Sequence, residues 1–501
     1  MTVTPDLIAS LVLKEFDRLP AKRKPVVRDN GLREWVPLSG IVAEEGGGKL
    51  TCLALATGMK CLPSSKLSQA RGNALHDWHA ETLAIRAFNR FVLDECHALS
   101  SGTKATSGFI RRRECSPQIV DDGQGVDASW HEQPFTWRED VRLHMYCSEA
   151  PCGDASMELT MASQVDATPW LIPTIQDENK NKAKDTELPA APSSATSQPP
   201  QDAETHLPGR AYFSQLGIVR RKPARGDAPP TLSKSCSDKL SLHQCTSLLS
   251  SLTSLLVAPD HAYVSTLVLP ASQYSASGCL RAFSDGSSLS LAEGVKACRM
   301  APLKDIHGRW AGGYRFSPFS VQTTDLEFRF SRRSPPSPDS RHPANAHETK
   351  PTKMTPSPLS AAKTSSGQEE TTLNGVLQGH KLSNSNSNSN STTHADVGLR
   401  AASFASRRRL WMLAVEIADL LSADRIQYAL GCGSPDLADT EEEEGGATRS
   451  EIHHAKTYAA VKSSPLLHPR RTVKEDARAL ALKGWVRNQG DEDFVLGLRY
   501  Y

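Results

Sequence analysis

Residues 78–94 read WHAETLAIRAFNRFVLD, Trp78 to Asp94. Leu83, Phe88, Phe91 and Val92 fall at helical spacing, so this stretch predicts an amphipathic helix with His79-Ala80-Glu81 at its mouth. Upstream, Trp35–Val42 and Leu50–Ala56 are apolar-rich runs flanking an EEGGG turn, the pattern of a β-hairpin. Downstream, Arg142–Tyr146 reads as a short strand, and Gly153–Met161 as a short helix opened by Pro151-Cys152-Gly153. Cys236–Val257 reads as a long helix, Tyr263–Leu269 as a buried strand, and Arg407–Leu421 and Thr472–Leu482 as late helices. No tandem repeat is visible. The pattern is one mixed α/β unit over residues 1–501, interrupted by insertions and not divided by them.

Three stretches are expected to be disordered insertions: 177–206, 334–370 and 383–398. They are rich in Pro, Ser, Thr, Lys or an SNSNSNSNS run, and lack the apolar surface that offsets backbone ordering. Residues 440–448 read as an acidic loop. The 501 residues carry 58 Lys+Arg against 56 Asp+Glu, which excludes a bulk polycation and confines nucleic-acid contact to local patches. No apolar run approaches the ~18–20 residues of a membrane span, so no membrane partner is expected. The start, MTVTPDLIASLVLKEF, lacks the basic region of a signal peptide. The expected location is therefore the cytoplasm and/or the nucleus. There the 11 cysteines stay reduced, and one that matters is a metal ligand sooner than half a disulfide.

An H-x-E triplet alone is unspecific. Joined to Pro151-Cys152 at the mouth of a second helix, it matches the arrangement by which zinc deaminases of nucleobases hold Zn²⁺ with one His and two Cys. Thiolates and imidazole suit zinc, whereas a hard-cation site would show more carboxylates. Zinc lowers the pKa of a bound water to about 7, and a carboxylate such as Glu81 can take that proton and pass it on. The expected P-C-x-x-C is broken: Ala155 stands where the second cysteine would be. On the residues alone the third ligand could be Cys147, Cys236 or another cysteine. Cys236 opens a helical run, where the N-terminal amides favour a thiolate.

His79-Ala80-Glu81, Pro151-Cys152-Gly153 and Ser235-Cys236-Ser237-Asp238-Lys239, in this order and separation, resemble the adenosine-to-inosine RNA editase family. Gly31–Val42, Ala54–Lys66, Gly217–Asp227, Leu242–Leu252, Leu373–Gly379 and Lys483–Asn488 resemble its tRNA-specific adenosine deaminase branch, notably fungal sequences. The resemblance implies a cytidine-deaminase-like α/β fold, a mixed-sheet core flanked by helices and enlarged by insertions. It implies hydrolytic deamination of adenosine to inosine, with His79, Cys152 and Cys236 as zinc ligands and Glu81 as proton shuttle. It also implies buried inositol hexakisphosphate, with Arg86, Lys239, Arg407, Lys456 and Arg470 as contacts. Four positions depart from the family pattern toward that polyphosphate: His76 replaces an Asn, Ile85 an Arg, His243 a Trp and Asn488 a Lys.

No module for duplex RNA is apparent beside the deaminase pattern, which suits an unpaired base such as one in a tRNA anticodon loop, where unpairing costs least; the resemblance to the tRNA-specific branch implies the adenosine 3′ of the anticodon. No DNA partner and a monomeric state are expected. Arg111–Arg113, Arg220–Lys222, Arg332–Arg333 and Arg407–Arg409 are candidate RNA contacts, with Arg407 preferred as a polyphosphate ligand. The competing readings are a deaminase of double-stranded or other RNA, a non-catalytic RNA-binding pseudo-deaminase, and a structural zinc protein. The retained Glu81 argues against the pseudo-deaminase. A structural zinc would call for a fourth protein ligand.

Overall fold

The computed structural model describes residues 3–113, 133–163, 215–222, 228–287, 298–333, 353–382, 398–431 and 446–496. In chain order, β1 (Arg33–Trp35) leads into β2 (Leu38–Glu45) and β3 (Lys49–Thr57). The expected hairpin forms with Glu45 opposite Lys49. Gly47 and Gly48, at φ 88° and 82°, supply the left-handed turn. After the helix Ala80–Ser100 come β4 (Ile110–Arg112), β5 (Phe135–Trp137) and β6 (Arg142–Cys147). Next are β7 (Val257–Ala258), β8 (Val264–Pro270) and β9 (Ser320–Thr324), then β10 (Met354–Pro356), β11 (Leu359–Thr364), β12 (Glu369–Leu373) and β13 (Val376–Leu377).

Eight of these strands form one mixed sheet in the order β13-β12-β11-β3-β2-β6-β8-β9. Pairing is antiparallel from β13 to β6 and parallel from β6 through β8 to β9. Every residue of β2 up to Glu44 is buried, because both faces of the sheet are covered. On one face the Ala80–Ser100 helix packs Leu83, Phe88, Phe91 and Val92 into the main core with Ile41 and Ala43. On the other, the helix Pro5–Asp17 packs Ile8, Val12 and Phe16 against Leu38, Val42 and Leu55. Gly40 admits that helix: a Cβ there would lie 2.6 Å from Val12 Cγ1. Truncating a phenylalanine as buried as Phe88 costs about 3–5 kcal/mol.

Three expectations are corrected. Of the segment 334–370, residues 334–352 lie outside the described residues, but the rest supplies β10, β11 and the start of β12 with a turn between the last two. Ala362, Lys363 and Thr364 of β11 pair with β3, and Glu369–Leu373 pairs back on β11. Composition misled here: Ser and Thr that read as loop are pleated-sheet residues once Ala361 and Ala362 fill the two faces. The helix begun at Cys236 stops at Thr246, because Ser247 turns to φ 57°; residues 253–255 form one 3₁₀ turn and 257–258 form β7. Residues 446–448 of the acidic stretch belong to the helix Gly446–His453. The stretch 177–206, all of 383–398 but Gly398, and 440–445 lie outside the described residues. Among the described residues, no helix is long and apolar enough to cross a membrane.

Candidate active site

Parallel strands place ligand sites at their carboxyl ends. Here that end is occupied by Cys147, which pairs with Ser39 at the start of β2, and by the loop that follows to Cys152. His79 is the N-cap of the Ala80–Ser100 helix but makes no side-chain cap; its ring turns toward Cys152 instead, with Nδ1 3.9 Å from Cys152 Sγ. Its backbone N–H is received by Asp77 Oδ1 at 3.0 Å.

Two loops bring the sulfurs together. Ser237 Oγ donates to Pro151 O at 2.9 Å and accepts from Ala155 N at 3.1 Å, and Ser237 N donates to Cys152 O at 3.0 Å. Gly153 is required at this junction. Its φ is 109°, and a Cβ would lie 2.2 Å from Ser235 Oγ. Ser235 caps the Cys236 helix by accepting from Asp238 N, and Cys236 N donates to Cys152 Sγ at 3.3 Å. Asp238 in turn receives Arg220 N at 2.9 Å and Arg299 Nη1 at 2.5 Å.

The result is one gathered donor set. One ligand atom from each of His79, Cys152 and Cys236 lies within 4.8 Å of the others. Cys147 is not in the set; Ser39 Oγ donates to its sulfur at 3.3 Å. A second group, Cys61, Asp77 and His79, overlaps the first at the histidine. Its carboxylate is already engaged. Asp77 Oδ2 receives Lys222 Nζ at 2.9 Å, Ser233 Oγ at 2.5 Å and Lys239 Nζ. Burial opposes the charge of Asp77, but Lys222 and Lys239 hold it well below the usual carboxylate range. Lys222 Nζ also reaches Cys236 Sγ at 3.2 Å. Burial opposes its charge as well, and Asp77 and the two sulfurs hold it protonated. The hydrogen bond between Cys236 and Cys152, with Lys222 and His79 nearby, holds Cys152 well below the usual thiol range. Glu81 is buried beside this set. Burial and then the Cys152 charge raise its carboxyl above the ordinary range, as suits a group that must carry a proton.

Asp77, Lys222, Ser233 and Asp238 were not legible as site residues. Lys222 sits in a run read as an RNA contact, yet Arg220 and Lys222 are buried. A carboxylate two residues before an H-x-E triplet was the available signal for Asp77.

The residues assigned to the polyphosphate divide. Arg86 donates through Nε to Ala405 O at 2.8 Å, and burial with Arg407 lowers it to about 10. Arg407 Nη1 donates to Asp491 O at 2.8 Å. Lys239 belongs to the Asp77 cluster. Arg470 is buried, but its guanidinium closes the end of the Cys236 helix, donating to Thr246 O at 2.7 Å and Leu249 O at 2.6 Å. Lys456 is exposed. The four departing positions are explained locally. Ile85 joins the apolar core. His243 Nδ1 donates to Ser247 O, 2.7 Å away, so Nδ1 carries the proton. His76 and Asn488 meet each other: His76 Nδ1 receives Asn488 Nδ2 at 3.2 Å while His76 Nε2 donates to Asp491 Oδ2 at 2.7 Å. That pattern is a neutral imidazole, consistent with a pKa pushed down to about 4 by burial and Arg407. Lys474 is a further cation in this region that no motif of the sequence marks. Burial, then Arg470, Arg478, Lys462 and Arg471, hold its ammonium well below the usual lysine range.

The profile of the adenosine-deaminase (editase) domain family matches residues 54–396, more than half of the chain. The chain is 36% identical over 329 residues to the tRNA-specific adenosine deaminase 1 of Schizosaccharomyces pombe, covering 65% of this chain and 70% of that protein. It is 34% identical over 250 residues to the protein of that name from Saccharomyces cerevisiae, covering 49% of this chain and 53% of that one. Similarity also extends to the double-stranded RNA-specific editase B2 of Mus musculus, at 28% over 152 residues, 30% of this chain and 18% of that protein.

Proposed function

The chain belongs to the adenosine-deaminase (editase) domain family, and we propose that it hydrolyses adenosine to inosine in tRNA, at the adenosine 3′ of the anticodon. The observation that carries this reading is the convergence of His79, Cys152 and Cys236 beside a buried Glu81. Both S. pombe and S. cerevisiae relatives are named for deamination of adenosine in tRNA, which supports tRNA over duplex RNA.

The donor set fits Zn²⁺: one imidazole and two sulfurs, with no fourth protein donor in that group among the described residues. When bound, the metal supplies a Lewis acid that makes water nucleophilic at neutral pH. The chain's own groups do the rest. Glu81 accepts one proton of the attacking water and delivers it to the ring nitrogen, then takes the second from the new C6 hydroxyl and delivers it to the leaving amine. Overall, water adds at C6, the C6–N bond breaks, and ammonia leaves. Lys222 lies between Asp77 and Cys236 and offsets part of the charge of both, with Lys239 as the second cation on Asp77. Asp77 fixes the backbone of His79 and so the aim of the imidazole.

Inositol hexakisphosphate is the second proposed resident. Its fit rests on like charge. Lys474 is crowded by four cations, and burial with Arg407 lowers Arg86, with the Asp491 carboxylate facing Arg407. A buried surplus of cations is costly without an anion. Lys239, Arg86, Arg407 and Lys474 would hold it. Arg470 would contribute charge only, and Lys456 is left out as exposed.

The test is incubation of the purified chain with total tRNA and with a duplex RNA control, followed by sequencing for A-to-G changes. A change confined to the nucleotide 3′ of the anticodon is expected. Changes in the duplex alone would favour the double-stranded RNA reading.

A further inference from the structure

The four basic runs of this sequence end in different surroundings. Arg220 and Lys222 are buried at the metal-ligating cluster. Arg407 donates to Asp491 O, Arg408 to Arg71 O, and Arg409 to Leu399 O. Arg111 pairs with Glu139, and Arg112 donates to Leu99 O. These last two sit on β4, away from the end of β6 that carries Cys147. Arg332 and Arg333 differ. Both are exposed, on the turn that follows β9, and that turn is fastened to the catalytic end of the sheet.

The fastening is specific. Arg332 N donates to Glu149 Oε1 at 3.3 Å, and Glu149 lies on the loop running from Cys147 to Cys152. With the Gln273 amide turned to satisfy both of its ends, it donates to Glu149 Oε2 at 3.1 Å and accepts from Arg333 Nη1 at 3.1 Å. Arg333 Nη1 also reaches Ser272 O at 3.2 Å. The Arg332 guanidinium lies 5.9 Å from the Trp35 ring centroid, just before β2. The third arginine of the turn, Arg329, is paired with Asp17 and is excluded.

Arg332 and Arg333 are thus exposed yet anchored on Trp35, Ser272 and Gln273 and tied through Glu149 to the loop that runs to Cys152. Guanidinium is the group that best matches a phosphate, because its planar N–H pairs meet two oxygens at once. We propose that Arg332 and Arg333 clamp the phosphodiester backbone of the RNA next to the nucleotide undergoing reaction. The clamp rests on the reading of the substrate as RNA. It fixes the strand's position on the rim while the base turns inward, a cost that backbone contacts offset.

The experiment compares the full-length wild type with R332A/R333A, R332K/R333K and R111A. The readouts are steady-state inosine formation in tRNA and tRNA affinity across a salt series. For R332A/R333A the KM rises about tenfold with kcat within about twofold, and the slope of log Kd against log salt becomes shallower by about 1.5, as two lost phosphate contacts require. R332K/R333K keeps the charge, and with it most of the salt slope, which separates charge from folding. R111A behaves as wild type. A wild type that forms no inosine in tRNA contradicts the substrate reading. An active wild type whose R332A/R333A variant keeps its KM and salt slope contradicts the clamp alone.

Discussion

Two buried groups of charge meet at Lys239, and they are built in opposite ways. On the metal-ligating side every cation has a partner: Lys222 and Lys239 share Asp77, and Lys222 also faces Cys236. On the side of Arg86, Arg407, Lys474 and His243 the cations outnumber the carboxylates. There His243 is driven down to about 4 by burial, against its bond to Ser247, and by Arg470 and Lys474. In the proposed function the first group takes a metal and the second an anion, and charge compensation, more than residue type, is what would separate the two.

The widest gap between the two should appear in activity. Glu81→Ala should keep its metal and lose inosine formation by about 10²–10⁴-fold, the usual share of a general acid–base. Activity within tenfold of wild type would break the comparison by removing its reactive half. Next comes the metal itself. Cys236→Ala should be purified without stoichiometric zinc, whereas Cys147→Ala, whose sulfur faces Ser39, should retain it. Elemental analysis of both proteins decides between the two cysteines.

Stability sharpens the contrast. Lys222→Met leaves Asp77 and a thiolate under-compensated and should destabilise the fold by about 3–5 kcal/mol in urea titrations. Lys474→Met relieves repulsion, so without polyanion it should cost little or be stabilising, and it should abolish stabilisation by added inositol hexakisphosphate. Equal losses for the two variants would erase the distinction. The smallest effect is on pH dependence. His76 titrates at about 4 in the folded chain, below the ordinary histidine value. Between about 6.5 and 4 the unfolded chain holds a proton that the folded chain lacks, so stability falls on acidification through that window. His76→Asn should remove about 3 kcal/mol of that fall.

The core of the fold was legible because its signals are local. The EEGGG hairpin, the helix after His79 and the β6 strand all follow from period and turn residues. What escaped was non-local. Residues 354–373 look like loop until β3 is known to lie beside them. The Cys236 helix ends where Ser247 adopts a positive φ, which no run of Leu, Ser and Thr announces. His79, Glu81, Cys152 and Cys236 could be named in advance because each sits in a short motif. Asp77 and Lys222 could not, since their meaning arises only when distant loops place them 2.9 Å apart. Arg470 meets four backbone or hydroxyl oxygens from distant segments, an environment that no neighbouring residue in the sequence announces.

The central claim is that three side chains hold one metal and leave a coordination position open beside Glu81. X-ray absorption at the zinc edge of the purified chain addresses it directly. The expected result is two sulfurs at about 2.3 Å, one nitrogen at about 2.0–2.1 Å and one further light atom that exchanges with added ligand. A closed shell of four protein donors, or a single sulfur, would contradict the account.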